Sequence, residues 1–237
     1  MGGEAAGQGR YYGRMQTPSF PHESATLTLE GPAGPLELVV DLPDGDAAPR
    51  PIIAVICHPL SIEGGSMHNK VVTMASRALR DLGITTVRFN FRGVGASAGV
   101  FDNGEGEGDD LRAVVGWVRS QRPDCALWLA GFSFGAYVSL RAAGALMPHA
   151  LISIAPPVGR RTWDFSDVQP PSNWLVVQGD ADEVVDAQGV YQWLESLGNP
   201  AQLVRMPDTS HFFHRRLIDL RGAIQHEVRR WLPDSSS

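Results

Sequence analysis

The chain has 237 residues, of which 43% are hydrophobic and 19% are charged, so it has enough apolar material for one globular domain. Its net charge is -6 and it has no Lys/Arg-rich run, which argues against a nucleic-acid partner. No apolar stretch approaches the roughly 18 residues of a membrane span, and the Gly-rich N-terminus lacks the apolar core of a secretory signal. We therefore expect a cytoplasmic protein without a membrane partner.

Hydrophobic periodicity predicts the elements in chain order. A hairpin comes first, pairing residues 25–29 with residues 36–41. Further strands are predicted at residues 51–57, 84–91, 126–132, 151–155, 174–178 and 202–206, and helices at residues 68–82, 109–120, 134–146, 187–197 and 213–231. This alternation predicts an α/β fold with a mostly parallel sheet, helices on both faces and an antiparallel entry hairpin. We expect a single domain at residues 22–233, with flexible tails at residues 1–21 and 234–237.

The first candidate catalytic residue lies at the end of the strand at residues 126–132. Gly131-Phe132-Ser133-Phe134-Gly135 matches the nucleophile elbow, in which a serine stands on a sharp turn between a strand and a helix. Glycine suits the two flanking positions because they have no room for side chains. The N-terminus of the following helix favours negative charge that develops at the serine. The alternative is a glycine-framed turn with an exposed serine. In parallel sheets, ligands bind beyond the carboxyl ends of the strands, so Ser133 is the predicted nucleophile.

Acidic residues follow the strand at residues 174–178. Asp182 is the predicted partner that orients a catalytic imidazole and stabilises its charged form. Asp180 is its rival, but Asp180 lies nearer the strand and is interpreted as bonding backbone N–H groups of the turn. Asp186 is interpreted as the N-cap of the next helix.

A histidine follows the strand at residues 202–206. His211 completes the chain order Ser, Asp, His that accompanies this elbow motif in catalytic triads. An imidazole suits this position because it accepts and returns a proton near neutral pH. His214 competes with it locally, but it is interpreted as a surface residue of the following helix.

The loop after the strand at residues 51–57 is expected to supply half of an oxyanion hole, and the N–H of Phe134 the other half. Pro59 has no N–H, so Leu60 is the predicted backbone donor. His58 is interpreted as a structural residue that is hydrogen-bonded within the loop. Cys57 lies inside a strand, where a thiol is more often inert.

A second glycine motif, Gly93–Ala98, matches the dinucleotide fingerprint. That fingerprint requires a helix to open at the glycines, whereas the next helix is predicted only after the glycine-rich residues 99–108. The acidic residues 102–110 do not match EF-hand spacing. We therefore expect no organic cofactor and no metal.

Together these motifs resemble the α/β-hydrolase superfamily, and in particular a small group related to dienelactone hydrolases and serine aminopeptidase-like hydrolases. The matching stretches are CHP at 57–59, GGSMHNKVV at 64–72, RFNFRGVGASAG at 88–99, FDNGEGE at 101–107, LAGFSFGAYVSLR at 129–141, QGDADEVV at 178–185 and SHFFH at 210–214. The resemblance implies an eight-stranded sheet and supports the roles of Ser133, Asp182 and His211. Residues 60–63 depart from the pattern, since relatives commonly carry a second His-Pro pair and an aromatic residue there.

The resemblance also bears on the shape of the site. Many α/β-hydrolases insert a helical cap after the sixth strand, but only residues 158–172 are available here. We therefore expect no substantial cap and an open site, walled by Phe134, Phe212 and Trp163. Dienelactone hydrolases carry a cysteine at the elbow, so Ser133 argues against that activity.

The predicted function is a serine hydrolase, most simply a carboxylesterase that acts on small or medium acyl esters through an acyl-enzyme. Thioesters and peptide N-termini are alternatives within the same mechanism. A non-catalytic binding protein on a hydrolase scaffold is an alternative of another class, and an oxidoreductase would rest on Gly93–Ala98 alone. The oligomeric state is left open.

Overall fold

The structure is a computed structural model that describes residues 17–45, 49–198 and 200–233. Of the expected tails at residues 1–21 and 234–237, residues 1–16 and 234–237 lie outside the described residues. The strands are β1 (Ala25–Gly31), β2 (Gly34–Asp41), β3 (Ile52–Cys57), β4 (Thr85–Phe89), β5 (Ala126–Phe132), β6 (Ala150–Ile154), β7 (Asn173–Gly179) and β8 (Gln202–Met206). The helices are α1 (Lys70–Arg80), α2 (Glu105–Gln121), α3 (Phe134–Leu146), α4 (Ala187–Ser196) and α5 (Leu217–Val228), with short 3₁₀ turns at Ser61–Glu63 and Arg229–Trp231.

The eight strands form one sheet in the order β1-β2-β4-β3-β5-β6-β7-β8. The hairpin strands pair antiparallel with each other, and β2 pairs antiparallel with β4. Every other neighbouring pair is parallel. This arrangement confirms the predicted mostly parallel, eight-stranded sheet. It also brings the carboxyl ends of β3, β5, β7 and β8 to one edge of the sheet.

The sheet is covered on both faces because alternate side chains of each strand point in opposite directions. In β3, Ile53 and Val55 join a core that includes side chains of α2, α3 and α4. Ile52, Ala54 and Ile56 join a second core with side chains of α1 and α5. All of these residues of β3 are buried, as the continuous apolar run predicts for a doubly covered strand.

The start of α2 differs from the prediction. The helix begins at Glu105 rather than at Asp109, because Glu107 accepts hydrogen bonds from two backbone N–H groups that precede it. A Cβ at Gly106 would overlap the guanidinium of Arg92. Two of the glycines that suggested a loop, Gly106 and Gly108, therefore lie inside the helix, and the absence of a side chain at Gly106 allows the arginine to approach.

The last helix is shorter than predicted. Residues 213–231 were expected to be helical, but α5 begins at Leu217 and ends at Val228. Phe213 and Arg215 have positive φ angles of 54° and 61°, which an α-helix does not accommodate. The chain therefore turns for several residues after His211 before the helix begins.

The boundary of the N-terminal tail also needs correction. Phe20 is buried and stacks on Trp117 of α2, with ring centroids 5.4 Å apart. The indole N–H of Trp117 donates a hydrogen bond to the Pro18 carbonyl at 2.8 Å. The folded unit therefore includes residues before 22.

The connection between β6 and β7, residues 155–172, contains no helix or strand, as expected for a fold without a cap. Trp163 and Phe165 of this connection are buried, so it packs down onto the domain. Among residues 17–45, 49–198 and 200–233, no helix combines the length and hydropathy that crossing a bilayer requires.

Candidate active site

Ser133 lies at a strained turn between β5 and α3. Its φ of 52° and ψ of -118° are unfavourable for a residue with a side chain. A Cβ at Gly131 would overlap the Gly135 carbonyl, and one at Gly135 would overlap the Cys57 carbonyl. Both glycines therefore allow the close packing of β5, α3 and the end of β3 that holds the turn.

Three predicted residues from three strand ends meet in one hydrogen-bonded chain. The Ser133 Oγ lies 3.1 Å from Nε2 of His211. Nδ1 of His211 lies 2.8 Å from Oδ2 of Asp182. Because a carboxylate only accepts, Nδ1 carries the proton and Nε2 of the neutral ring is free to accept from the serine hydroxyl. Ser133 is 8% exposed and His211 2% exposed, so the serine is the more accessible of the two.

The carboxylate of Asp182 is held on both oxygens. Oδ1 accepts from the backbone N–H groups of Val184 and Val185 at 2.8 and 2.7 Å. Oδ2 accepts from His211 and from Nε2 of Gln178, the latter at 3.0 Å. Burial raises the pKa of Asp182, but the hydrogen bonds from His211, Val185 and Val184 outweigh burial, so the net pKa is below the usual value. The ionised form is therefore favoured.

Gln178 is a hydrogen-bond partner of Asp182 that was not predicted from the sequence. It is fully buried at the end of β7, and its Nε2 bonds both Asp182 and the Gly179 carbonyl at 3.0 Å. Its position directly before the acidic loop was the available signal. A fully buried amide at a strand end has to find hydrogen-bond partners nearby.

The two rival aspartates have the structural roles that were predicted for them. Oδ1 of Asp180 accepts from the backbone N–H of Asp208 at 2.7 Å, which ties the end of β7 to the turn after β8. Asp186 caps α4 by accepting from the backbone N–H of Gln188 at 3.1 Å.

The rival nucleophile and base are not in the hydrogen-bonded chain. Cys57 is fully buried, and burial raises the pKa of its thiol far above the ordinary value. A buried thiol that stays protonated is not nucleophilic. His214 is exposed and precedes α5.

The two predicted oxyanion donors lie on segments that touch. A Cβ at Gly135 would also meet the His58 carbonyl, so the start of α3 packs on the loop that contains Leu60. Phe134 is the first residue of α3, where backbone N–H groups have no partner within the helix. Within the described residues, neither the Leu60 nor the Phe134 N–H donates to another protein group.

A cavity of about 120 Å³ opens at Ser133 and His211. Trp163 and Phe212, two of the three expected wall residues, line it together with Leu60. The prediction for the side chain of Phe134 is wrong. That ring is fully buried and lies behind Trp163, with ring centroids 5.3 Å apart.

Other residues line the cavity without having been predicted. They are Pro59, Glu63, Gly64, Gly65, Asn69, Arg160 and Val184. They come from three separate connections of the chain. Five of them lie in the stretches that carry the family resemblance, but their spacing in the sequence did not place them at the cavity. Two of them, Glu63 and Arg160, bring opposite charges to the cavity.

His58 is fully buried beneath the loop that contains Leu60. Its Nδ1 lies 2.6 Å from the Pro59 carbonyl, and its Nε2 lies 3.0 Å from the backbone N of Phe91. A carbonyl accepts and an N–H donates, so these contacts fix the neutral ring with its proton on Nδ1. Burial lowers the pKa of His58 from 6.5 to about 4, and the bond to Pro59 opposes this only in part.

This lowered pKa predicts a pH-dependent stability. Between pH 6.5 and about 4, the unfolded chain binds a proton at His58 that the folded chain does not. The free energy of unfolding is therefore expected to fall as the pH decreases through this range, by about 3 kcal/mol in all. Urea unfolding at several pH values checks this result, with His58→Gln as the control that cannot titrate. Equal pH slopes for the two proteins would contradict it.

Comparison with known proteins shows which family the chain resembles. Residues 35–170 match the family described as X-Pro dipeptidyl-peptidase (S15 family). An uncharacterized protein of Rickettsia prowazekii is 34% identical over 186 residues, which cover 75% of this chain and 78% of that protein.

Two solved structures are similar to this chain over most of its length. A serine hydrolase without a lid from Xanthomonas campestris is 73% identical, with a TM-score of 0.90, over 92% of this chain and 100% of that one. A serine hydrolase homologue from Coxiella burnetii is 43% identical, with a TM-score of 0.83, over 89% of this chain and 100% of that one. These findings confirm the resemblance to hydrolases without a cap. Because the family match covers more than half of the chain, the protein belongs to the X-Pro dipeptidyl-peptidase (S15) family, within the α/β-hydrolase superfamily of serine hydrolases.

Proposed function

We propose that the protein is a carboxylesterase that cleaves esters of small or medium acyl groups through an acyl-enzyme on Ser133. The observation that carries this proposal is the continuous hydrogen-bonded chain from Ser133 through His211 to Asp182, which opens into a small cavity. A weak nucleophile needs an adjacent base, and that base needs a group that orients it. This arrangement supplies both.

Each residue then has a defined role in the proposed reaction. His211 accepts the hydroxyl proton as Ser133 attacks the acyl carbonyl, and Asp182 stabilises the resulting imidazolium. The N–H groups of Leu60 and Phe134 bind the oxyanion of the tetrahedral intermediate. His211 then donates its proton to the departing alkoxide, and the acyl group stays on Ser133. Water, activated by the same imidazole, releases the acid.

The size of the cavity predicts the preferred acyl group. About 120 Å³ leaves room for a short acyl chain, whereas a long chain would project into solvent without burial. We expect kcat/KM for p-nitrophenyl acetate and butyrate to exceed that for p-nitrophenyl dodecanoate by about tenfold or more. The measurement is a chain-length series below the concentration at which long esters aggregate. A kcat/KM that rises steadily to dodecanoate would contradict this expectation.

Whether the protein is an enzyme at all is tested with the same native chain. Turnover of p-nitrophenyl butyrate and covalent labelling by a fluorophosphonate are both expected, since each needs an activated serine. If the folded protein neither turns over the ester nor labels, the proposal fails. The alternative of a binding protein on a hydrolase scaffold then takes its place.

A second candidate is removal of a short peptide from an N-terminus. It is favoured by the match of residues 35–170 to the X-Pro dipeptidyl-peptidase family. The carboxylate of Glu63 at the cavity would suit a substrate ammonium group. A dipeptide p-nitroanilide with proline at its second position discriminates the two activities. Faster turnover of this amide than of p-nitrophenyl butyrate would favour the peptidase.

The proposed compartment is the cytoplasm. Both cysteines of the chain are free, with Cys57 buried and Cys125 half-buried. Free thiols fit a reducing environment, in which disulfides rarely persist.

A further inference from the structure

We propose that His58 is a positioning residue for the oxyanion hole, because its ring fixes the peptide group that carries the Leu60 N–H. This inference rests on the proposed hydrolase mechanism, in which Leu60 supplies one of the two oxyanion donors. It assigns a function to a buried histidine that the hydrogen-bonded chain at Ser133 does not use.

The ring of His58 is fixed before any substrate binds. It is fully buried, it packs against Phe91 with ring centroids 4.7 Å apart, and its Nε2 accepts from the Phe91 N–H at 3.0 Å. Phe91 follows β4, which pairs with β3. The ring is therefore tied to the end of β4, and through it to the sheet.

The second ring nitrogen of His58 fixes the orientation of a peptide group in the loop that contains Leu60. Nδ1–H of His58 donates to the Pro59 carbonyl at 2.6 Å. That carbonyl and the Leu60 N–H belong to one planar trans peptide, so they point in opposite directions. Because the carbonyl points to the buried ring, the N–H points away from it. Leu60 lines the cavity together with Ser133, and we infer that its N–H faces this cavity.

The other side of Leu60 is fixed as well. Its carbonyl accepts from the backbone N–H groups of Gly65 at 3.0 Å and Glu63 at 3.2 Å. A Cβ at Gly65 would overlap the Pro59 carbonyl, so only glycine allows the loop to close this tightly. The peptide groups on both sides of the Leu60 Cα are thus fixed by hydrogen bonds. Backbone groups fix one of them, and the His58 side chain fixes the other.

The bond also has an electronic consequence. A hydrogen bond to the carbonyl of a peptide polarises its N–H, because hydrogen bonds in a chain strengthen one another. The Leu60 N–H is therefore a better donor to developing negative charge than an isolated amide. Preorganised donors of this kind act on the transition state much more than on the bound substrate.

Two substitutions separate the two ring contacts. His58→Asn places an amide in the region of Nδ1, so it can still donate to Pro59 but cannot reach Phe91. His58→Gln places its amide in the region of Nε2, so it can accept from Phe91 but cannot hold the Pro59 carbonyl. The native chain and both variants are assayed with p-nitrophenyl butyrate, with their folds checked by circular dichroism and thermal unfolding.

We expect His58→Gln to lower kcat by about 100-fold with KM changed less than about threefold, as for the loss of an oxyanion donor. His58→Asn is expected to stay within about tenfold of the native kcat. A trifluoromethyl ketone, whose serine adduct carries an oxyanion, should lose affinity for each variant by the same factor as its kcat/KM. A purely structural role for His58 would not produce this correlation.

The outcomes distinguish this inference from the proposed function. An inactive native chain contradicts the hydrolase itself. An active native chain with a folded His58→Gln that keeps its kcat, or with equal losses in the two variants, overturns the role of His58. If His58→Gln does not fold, His58→Asn decides alone, and a folded variant with a kcat loss of about 100-fold or more overturns the inference.

Discussion

Replacement of Ser133 by alanine is expected to lower kcat for p-nitrophenyl butyrate by about 10⁵-fold or more, as in other enzymes with an acylated serine. The substitution removes the atom that forms the acyl-enzyme, and the oxyanion donors alone leave only a small residual rate. Fluorophosphonate labelling should disappear at the same time. Since Ser133 is the N-terminal flanking residue of α3 and makes no side-chain cap, the fold should be retained.

Ser139→Ala is the matched control for this experiment. Ser139 lies within α3 and is fully buried. Among the described residues its hydroxyl makes one hydrogen bond, to the Ala136 carbonyl at 3.2 Å. Its loss removes an equivalent hydroxyl without touching the proposed mechanism, so activity should remain close to that of the native chain. Equal activity of Ser133→Ala and the native chain would exclude Ser133 as the nucleophile.

Asp182→Asn is expected to lower kcat by about 10⁴-fold near neutral pH, the magnitude known for this change in the serine protease triad. The amide keeps an acceptor for the Val184 and Val185 N–H groups, so the loop geometry survives. It removes the charge that stabilises imidazolium, and it allows the wrong tautomer of His211. The measurement is the pH profile of kcat, together with a thermal unfolding curve that reports the fold.

The neighbouring aspartate provides the control for Asp182. Asp180→Asn keeps the Oδ1 acceptor for the Asp208 N–H. It is expected to change kcat less than about threefold, since among the described residues Asp180 makes no hydrogen bond to His211 or Ser133. A loss in Asp180→Asn comparable to that in Asp182→Asn would show that the acidic residue of the proposed triad has been misassigned.

Much of the site was predictable because its residues occupy strand ends. Buried parallel strands have a strong apolar signal, and their carboxyl ends must meet at one edge of the sheet. The placement of Ser133, Asp182 and His211 follows from three such ends and from chain order. The roles of Asp180 and Asp186 could likewise be predicted from the sequence, since hydrogen bonding in turns and helix caps depends on only a few neighbouring residues.

The elements that the sequence placed wrongly depend on contacts between distant residues. Gly106 belongs to a helix because Arg92 needs its space, and no local pattern reports such a requirement. The start of α5 is delayed by positive φ angles at Phe213 and Arg215, neither of which is a residue type that favours that region. Local propensity gives no signal where tertiary packing determines the backbone.

The walls of the cavity were the part of the site that the sequence predicted least well. Glu63 and Asn69 line the cavity together with Arg160, although Arg160 comes from the distant connection between β6 and β7. Phe134 was expected there from its neighbourhood to Ser133 alone. However, the first side chain of α3 points into the core, because the turn at the elbow directs only the serine toward solvent.

The short connection between β6 and β7 has a kinetic consequence. Enzymes that close a mobile segment over bound substrate often have a turnover limited by its opening. Residues 155–172 contain no helix or strand and are anchored by Trp163 and Phe165, so within the described residues they supply no such gate. In the proposed mechanism, substrate and product would then pass this segment by diffusion, with bulk water near the acyl-enzyme. Deacylation would thus be favoured over transfer of the acyl group to a competing alcohol.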